Sequence, residues 1–271
     1  MSFRLVHLSD PHFGTADQAQ AERLVSLCHE LEPDFMLISG DFSMRARLRE
    51  MQAAKEWLAR LPEPQLKIPG NHDVPLVNHL FQRFFAPFKR YRDYIHPELE
   101  PTAELPLGKL VSFNSSTPFG WHADWSRGFL DPFQALRMQR ELADVDGLRL
   151  VTFHHPLWRP DHSKRALIAP LPMIHHALAE AQVDIVFSGH FHQSTVRTLD
   201  YTDGSGGNHL ISQASTACST RLKGEPAGFH VVDLEPQYAK FTRYHWENQD
   251  YREFEHLNFK KEAKRWNQTA Q

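Results

Sequence analysis

Five short blocks carry side chains of the kind that bind metal ions: Asp10-Pro11-His12, Gly40-Asp41, Gly70-Asn71-His72-Asp73, His154-His155-Pro156 and Gly189-His190-Phe191-His192. A ligand inventory of two carboxylates, one amide and four imidazoles is drawn from among them. Such mixed oxygen and nitrogen donors suit manganese, iron, zinc, cobalt or nickel rather than calcium or magnesium alone, and the lack of thiolate argues against a structural zinc site. Seven ligands are too many for one small ion and suit two. Two ions roughly 3.5–4 Å apart can clamp a phosphoryl group, generate hydroxide from bound water near neutral pH and neutralise charge as it develops.

Each block follows a short apolar run of strand character: Leu5–Leu8, Met36–Ser39, Leu66–Ile68, Leu150–Phe153 and Ile185–Ser188. Helical patterns lie between them, near Gln18–Leu31, Leu48–Leu61, Asp131–Leu142 and Pro170–Gln182. This alternation predicts parallel strands buried by helices, with a further strand at Leu110–Phe113. In such sheets ligands bind at the carboxyl ends of the strands, so five loops distant in sequence converge on one edge and make one site. Between Val74 and Pro106 the rhythm breaks into an aromatic-rich piece with Phe81, Phe84, Phe85, Phe88, Tyr91 and Tyr94, read as two short helices and an extended segment. It is either a satellite hydrophobic cluster or a cap over the pocket. After His192 the runs Ser194–Leu199, His209–Gln213, Phe229–Leu234 and Tyr238–Tyr244, separated by turn clusters such as Asp203 to Gly207, predict a second, largely antiparallel sheet. The expected organisation is one domain over residues 1–246, with 74–106 as a candidate cap insertion. A polar C-terminal tail, 247–271, is read as a surface helix or mobile end.

Composition narrows the function classes. A hydrophobic fraction of 41% and a charged fraction of 23% fit a globular chain with a sizeable core. A net charge of −3 provides no basic field for gripping a nucleic acid polymer. No run approaches the ~20 apolar residues of a membrane span, so stable membrane insertion is not expected. Cys28 and Cys218 show no close pairing, and a cytoplasmic location is expected.

In order and content the five blocks resemble the signature motifs of the calcineurin-like metallophosphoesterase superfamily, from Asp10 to His192. That resemblance implies an α/β fold, a four-layer αββα sandwich of two mixed β-sheets flanked by helices. It implies that Asp10, His12 and His192 hold one ion, that Asn71, His154 and His190 hold the other, and that Asp41 bridges both. It assigns His72 to the phosphate and to protonation of the leaving oxygen. In His154-His155 it selects the first imidazole and leaves His155 a supporting place. The cofactors implied are two divalent or trivalent ions, Mn, Fe, Zn or Co, with Mn or Fe favoured, and the partner is a small-molecule phosphoester.

Elementary chemistry agrees with these assignments. A bridging ligand needs an anionic oxygen with two usable faces, which Asp41 offers and an amide or imidazole does not. Proton transfer near neutral pH suits histidine, and Asp73 is placed to orient the His72 ring. Among the arginines Arg45, Arg47, Arg127, Arg159 and Arg221, the first is the preferred phosphate contact because it lies four residues past Asp41. His7, His122, His162, His175, His176 and His209 are expected to pack or hydrogen-bond rather than ligate. Trp121, His122, Trp125 and Arg127 fall in a loop where substrate could pass.

Within the superfamily, Leu8-Ser9-Asp10-Pro11-His12-Phe13 and Gly70-Asn71-His72-Asp73 look most like the bacterial cyclic-nucleotide and glycerophosphodiester phosphodiesterases. Asn71-His72-Asp73 runs into Val74-Pro75, unlike the arginine-rich signature of the protein phosphatases. The alternatives are a pyrophosphatase acting on a nucleotide-lipid such as UDP-diacylglucosamine, or a phosphomonoesterase. A binding scaffold that kept only the fold would have lost ligands, and all seven are present.

Overall fold

The computed structural model describes residues 2–76, 80–118, 126–160, 163–202 and 204–270. Trp121, His122, Trp125, His162 and Asp203 lie outside the described residues. The first half runs β1 (Phe3–Leu8), α1 (Gln18–Glu30), β2 (Phe35–Ile38), α2 (Leu48–Leu58), β3 (Gln65–Lys67), α3 (Leu80–Phe85), α4 (Lys89–Tyr94), β4 (Thr102–Leu105) and β5 (Gly108–Ser112). The second runs α5 (Pro132–Leu142), β6 (Leu148–Thr152), α6 (Leu171–Glu180), β7 (Ile185–Ser188), β8 (Thr195–Asp200), β9 (Asn208–Gln213), β10 (Gly228–Glu235), β11 (Tyr238–Glu247), β12 (Asp250–Glu262) and β13 (Arg265–Thr269).

The strands form two sheets, β13-β12-β11-β10-β1-β2-β3 and β4-β5-β6-β7-β9-β8. Strand periodicity sorts their side chains into layers. On β1 and β2, Val6, Leu8, Met36 and Ile38 pack with Leu24, Trp57 and Tyr91 of α1, α2 and α4. The alternate residues Leu5, Phe35 and Leu37 meet Leu150, Ile185, Phe187 and Leu210 of the other sheet. On that sheet's far side, Val151, Val186 and Ile211 meet Met138 and Leu142 of α5 and Ile174 and Leu178 of α6. The layers are helix, sheet, sheet and helix, as expected. No described helix is long and apolar enough to cross a membrane.

Local signals account for the helix starts. Asp17 accepts a hydrogen bond from the Gln20 N–H at 3.0 Å, and Asp131 and Gln134 cap each other through two 2.9 Å bonds ahead of Pro132. Such caps are worth ~1 kcal/mol each.

Two expectations are corrected. The strands after His192 do not make a sheet of their own. β9 pairs parallel to β7 and β8 pairs with β9, whereas β10 pairs antiparallel to β1 and starts the extension of the first sheet. The reason is visible in β10, whose Phe229 and Val231 pack on the helix side and Val232 and Leu234 between the sheets, so it needs neighbours on both faces. The polar tail beyond Trp246 is neither a surface helix nor a loose end, because β12 and β13 continue the ladder from β11. The β11–β12 hairpin closes on Asn248 and Gln249, both at positive φ (51° and 63°), which matches a two-residue type I′ turn. Tyr251, Phe259 and Trp266 are the tail's core anchors, too widely spaced for a strand pattern to stand out.

A line of polar side chains lies inside the apolar layers. His7 on β1 has Nε2 2.9 Å from the Ser39 hydroxyl and Nδ1 3.1 Å from that of Ser212 on β9. Ser212 is also 2.8 Å from His230 Nδ1, whose Nε2 is 2.6 Å from the Ser194 hydroxyl. His209, stacked on Tyr201, is fully buried and makes no hydrogen bond through its ring. His7 and His209 thus take the packing and hydrogen-bonding places expected of them.

Burial lowers the His7 and His209 rings to about 3 from 6.5. The folded state keeps both neutral, while the unfolded chain takes up their protons below pH 6.5. Stability therefore falls as pH drops from 6.5 toward 3, by ~1.4 kcal/mol per pH unit for each ring. In urea unfolding monitored from pH 7 to pH 4.5, His209→Phe is expected to reduce the wild-type slope of stability against pH by about that amount. An unchanged slope would show that His209 does not couple proton uptake to unfolding.

Candidate metal centre

The carboxyl ends of β1, β2 and β3 in one sheet and of β6, β7 and β9 in the other meet at one edge, and the five blocks occupy the loops that leave β1, β2, β3, β6 and β7. The loops are stitched together by backbone bonds: Asp10 N–H to Gly40 C=O (3.0 Å), His12 N–H to Asp41 C=O (3.0 Å) and Gly189 N–H to His154 C=O (2.9 Å). Asp10, His12, Asp41, His190 and His192 all have φ between 48° and 69°. Left-handed backbone at a non-glycine residue costs ~1–3 kcal/mol and persists only where the surroundings enforce it. Five such residues in one cluster mark a site built against local preference.

All eight residues singled out from the sequence come together. Asp10, His12 and His192 present donor atoms within 4.8 Å of one another, as do Asp10, Asp41 and His154. Asp10 Oδ1 lies 3.5 Å from His12 Nε2 and 3.2 Å from His192 Nε2. The other ring nitrogens turn away: His12 Nδ1 to Ser43 C=O (3.4 Å), His192 Nδ1 to Arg221 C=O (2.6 Å) and His154 Nδ1 to Ser39 C=O (2.7 Å). Backbone carbonyls behind the rings aim Nε2 inward, the arrangement that orients metal-binding imidazoles. His190 instead directs Nδ1 inward, 3.0 Å from Asn71 Oδ1.

Asp41 stands between the two groups. Its Oδ2 is 3.6 Å from His12 Nε2 and 3.3 Å from His154 Nε2, while Oδ1 accepts the His72 N–H at 2.8 Å. Gly70 makes this fit possible, since a Cβ there would fall 2.1 Å from Asp41 Oδ1. A Cβ on Gly189 would likewise meet Asp10 Oδ2 at 2.4 Å.

The electrostatics suit a cation. Burial would raise Asp10 and Asp41, but the surrounding imidazoles hold both well below the usual carboxylate range. Burial would lower His154, but the charges of Asp41 and Asp10 raise it to about 9. Burial and the nearby His154 lower His190 to about 3, leaving it a neutral donor. Asp10 Oδ1 and His154 Nε2 are buried without a well-directed hydrogen bond. Buried polar atoms are rarely left so. Inward-facing donors of this kind, with two carboxylates among them, fit metal ions.

Several expectations shift at the rim. Asp73 does not orient His72. It accepts from the N–H groups of Phe42 (3.2 Å), Ser43 (2.9 Å) and Gly70 (3.0 Å), tying two of the loops together, and burial and the Asp41 charge raise it to about 7. His72 is instead aimed by Met44, whose carbonyl lies 2.7 Å from Nδ1, and its Nε2 is 3.1 Å from Arg221 Nη1. His155 packs against His190 with ring centroids 4.6 Å apart, and its Nδ1 is 2.8 Å from the Ser115 hydroxyl. It also shares a cluster of donor atoms with His154 and His190.

A cavity of about 170 Å³ opens over the centre, lined by Asp41, Asn71, His72, His190 and His192 together with Ser126, Arg127, Arg165, Ala166, Arg221 and Lys223. Arg127 and Arg221 were among the arginines singled out. Arg45, Arg47 and Arg159 do not line it. Arg45 is exposed, the turn after Asp41 carrying it outward. Arg165 and Lys223 escaped notice because neither adjoins a ligand block; Lys223 had only its nearness to Arg221 to mark it.

A family model described as "Calcineurin-like phosphoesterase" matches residues 3–194. A probable cyclic nucleotide phosphodiesterase from Synechococcus sp. is 23% identical over 273 residues, 92% of this chain and 94% of that protein. The UDP-2,3-diacylglucosamine pyrophosphatase LpxG of Chlamydia trachomatis is 24% identical over 212 residues, 70% of this chain and 63% of that protein. Among solved structures, PhoD superposes with a TM-score of 0.76 at 10% identity, covering 99% of this chain and 72% of PhoD, which speaks to the fold alone.

The Gly70 contact yields a test. Gly70→Ala is expected to displace the Asp41 carboxylate, so the purified variant should retain less than half the wild-type metal content by inductively coupled plasma mass spectrometry. Its circular dichroism should stay native. Full metal retention would show that Gly70 is not what seats Asp41.

Proposed function

The chain belongs to the calcineurin-like phosphoesterase family, and on that footing we propose that it is a dinuclear-metal phosphodiesterase acting on a small molecule in the cytoplasm. The observation that carries the reading is the place of Asp41, whose Oδ2 faces His12 on one side and His154 on the other. Asp10, His12 and His192 would hold one ion, Asn71, His154 and His190 the second, and Asp41 both. Manganese or iron is the favoured occupant, in keeping with the nitrogen and oxygen donors. When bound, such a pair supplies Lewis acidity toward the phosphoryl oxygens and a nucleophile drawn from water.

The chain's own groups do the rest. His72, with Nδ1 fixed by the Met44 carbonyl, presents Nε2 to the cavity beside Arg221 Nη1. From there the imidazole can pass a proton to the departing ester oxygen while the guanidinium holds a phosphoryl oxygen. Asp73 keeps the Asp41 and Asn71 loops at fixed separation through its three backbone bonds. His155 braces the His190 ring. The full-length similarity to a probable cyclic nucleotide phosphodiesterase supports diester hydrolysis, and the free, buried Cys28 and Cys218 accord with a reducing compartment.

With Mn²⁺, Asp41→Asn is expected to lower hydrolysis of bis(p-nitrophenyl) phosphate by about a thousandfold or more. His72→Ala is expected to cost about 10²–10⁴-fold on an alkyl diester such as glycerophosphoethanolamine, and much less on the p-nitrophenyl ester, whose leaving group departs without a proton. Retained activity in Asp41→Asn sinks the two-ion reading. Equal losses on both esters in His72→Ala remove its role as acid.

A further inference from the structure

The turn that aims His72 is itself clasped by a buried carboxylate. It spans residues 43–47, between Asp41 and α2, and its Met44 carbonyl is the one 2.7 Å from His72 Nδ1. Glu50, in the first turn of α2, reaches back to it: Oε2 accepts the Arg45 N–H at 2.8 Å and the Arg47 N–H at 3.2 Å. Ser43 Oγ accepts the intervening Ala46 N–H at 2.9 Å. Every backbone N–H from 45 to 47 is thus taken by a side chain.

The bond to Arg47 is what a helix start asks for, since a glutamate at the third helical position accepts the N–H of the cap residue. Three observations exceed what capping needs. The shorter bond goes to Arg45, two residues ahead of the cap. Glu50 is only 3% exposed, and burial of a carboxylate is costly unless its hydrogen bonds compensate, whereas a cap works equally well at the surface. Room for the carboxylate is made at Gly14, where a Cβ would fall 2.9 Å from Glu50 Oε1. Gly14 follows Phe13, whose carbonyl accepts the Met44 N–H at 2.9 Å, so the first ligand loop, the turn and Glu50 form one packed unit.

The turn does not hold its shape unaided. Ala46 has a φ of 50°, a left-handed backbone that a residue with a Cβ keeps only where the surroundings enforce it. We infer that Glu50 is a positioning residue for the proton donor: by clasping the turn it fixes the Met44 carbonyl, and through that carbonyl the direction of the His72 ring. Glu50 does not line the cavity and acts only through Met44. The reach of its acceptor oxygen to two N–H groups, rather than its charge, performs the task. This rests on the proposed role of His72 as the acid and deepens it.

Two variants of the Mn²⁺-loaded protein separate reach from charge. Glu50→Asp keeps the charge but withdraws the acceptor by one methylene; Glu50→Gln keeps the reach and an acceptor oxygen but loses the charge. In Glu50→Asp, kcat on glycerophosphoethanolamine is expected to fall about ten- to a hundredfold, and at least about five times more than on bis(p-nitrophenyl) phosphate, whose leaving group needs no proton. Glu50→Gln is expected to stay within about threefold of wild type on both. Added to His72→Ala, Glu50→Asp should cost nothing further on the alkyl diester, because the ring it aims is gone. Metal content should match the wild type throughout. Equal losses on the two esters in Glu50→Asp, equal losses in the Asp and Gln variants, a further loss in the double variant, or loss of metal each overturn the positioning role. They leave His72 as the acid so long as His72→Ala keeps its own ester selectivity; if His72→Ala loses equally on both esters, both readings fall.

Discussion

The close approach of the Asp41 carboxylate to the His154 ring is the contact on which the centre turns. Asp41 leaves the end of β2 in the seven-stranded sheet and His154 the end of β6 in the six-stranded one, and their donor atoms sit 3.3 Å apart with both side chains buried. Neither group is favourable alone in that setting. A buried carboxylate or a buried imidazolium costs several kcal/mol unless an opposite charge stands beside it. Each supplies what the other needs, and a metal cation between them would take the place of the ring's proton, held by the carboxylate and the neutral imidazole together. The left-handed backbone at Asp10, His12, Asp41, His190 and His192 concentrates conformational strain at the same edge.

Much of this was legible from residue order. Strand runs ending in Asp10, Asp41, Asn71, His154 and His190 locate the site because parallel sheets deliver their loops to one edge, and the structure brings all of those side chains together. What the sequence hid depends on partners distant in the chain. Asp73 looked like the support of its neighbour His72, yet it faces the Phe42–Ser43 loop, and the His72 ring takes its direction from a backbone carbonyl that no side-chain pattern reports. Arg45 seemed well placed by its nearness to Asp41, but nearness along a turn carries no information about direction. Arg165 and Lys223 reach the cavity by the paths of long loops, whose shape is set by packing rather than by local propensity.

The same distinction explains the misread C-terminal half. Period-2 patterning identified β8 to β11 as strands but not which sheet each would join. That choice rests on both faces of β10 being apolar and on the pairing of β9 with β7, which are tertiary facts. β12 and β13 were missed because sheet margins tolerate polar side chains on their exposed face, leaving only Tyr251, Phe259 and Trp266 to betray them.

The polar line between the sheets bears on how the two halves of the centre stay aligned. Apolar contact between sheets is non-directional and would allow one to slide over the other by an ångström or so at little energetic cost. Hydrogen bonds weaken steeply with displacement, and Ser212 of one sheet is held at 2.8–3.1 Å by His230 and His7 of the other. Those bonds act as a dowel between two plates. The spacing between ligands carried on different sheets is thus fixed from the interior of the protein, well before any ion or substrate arrives at its edge.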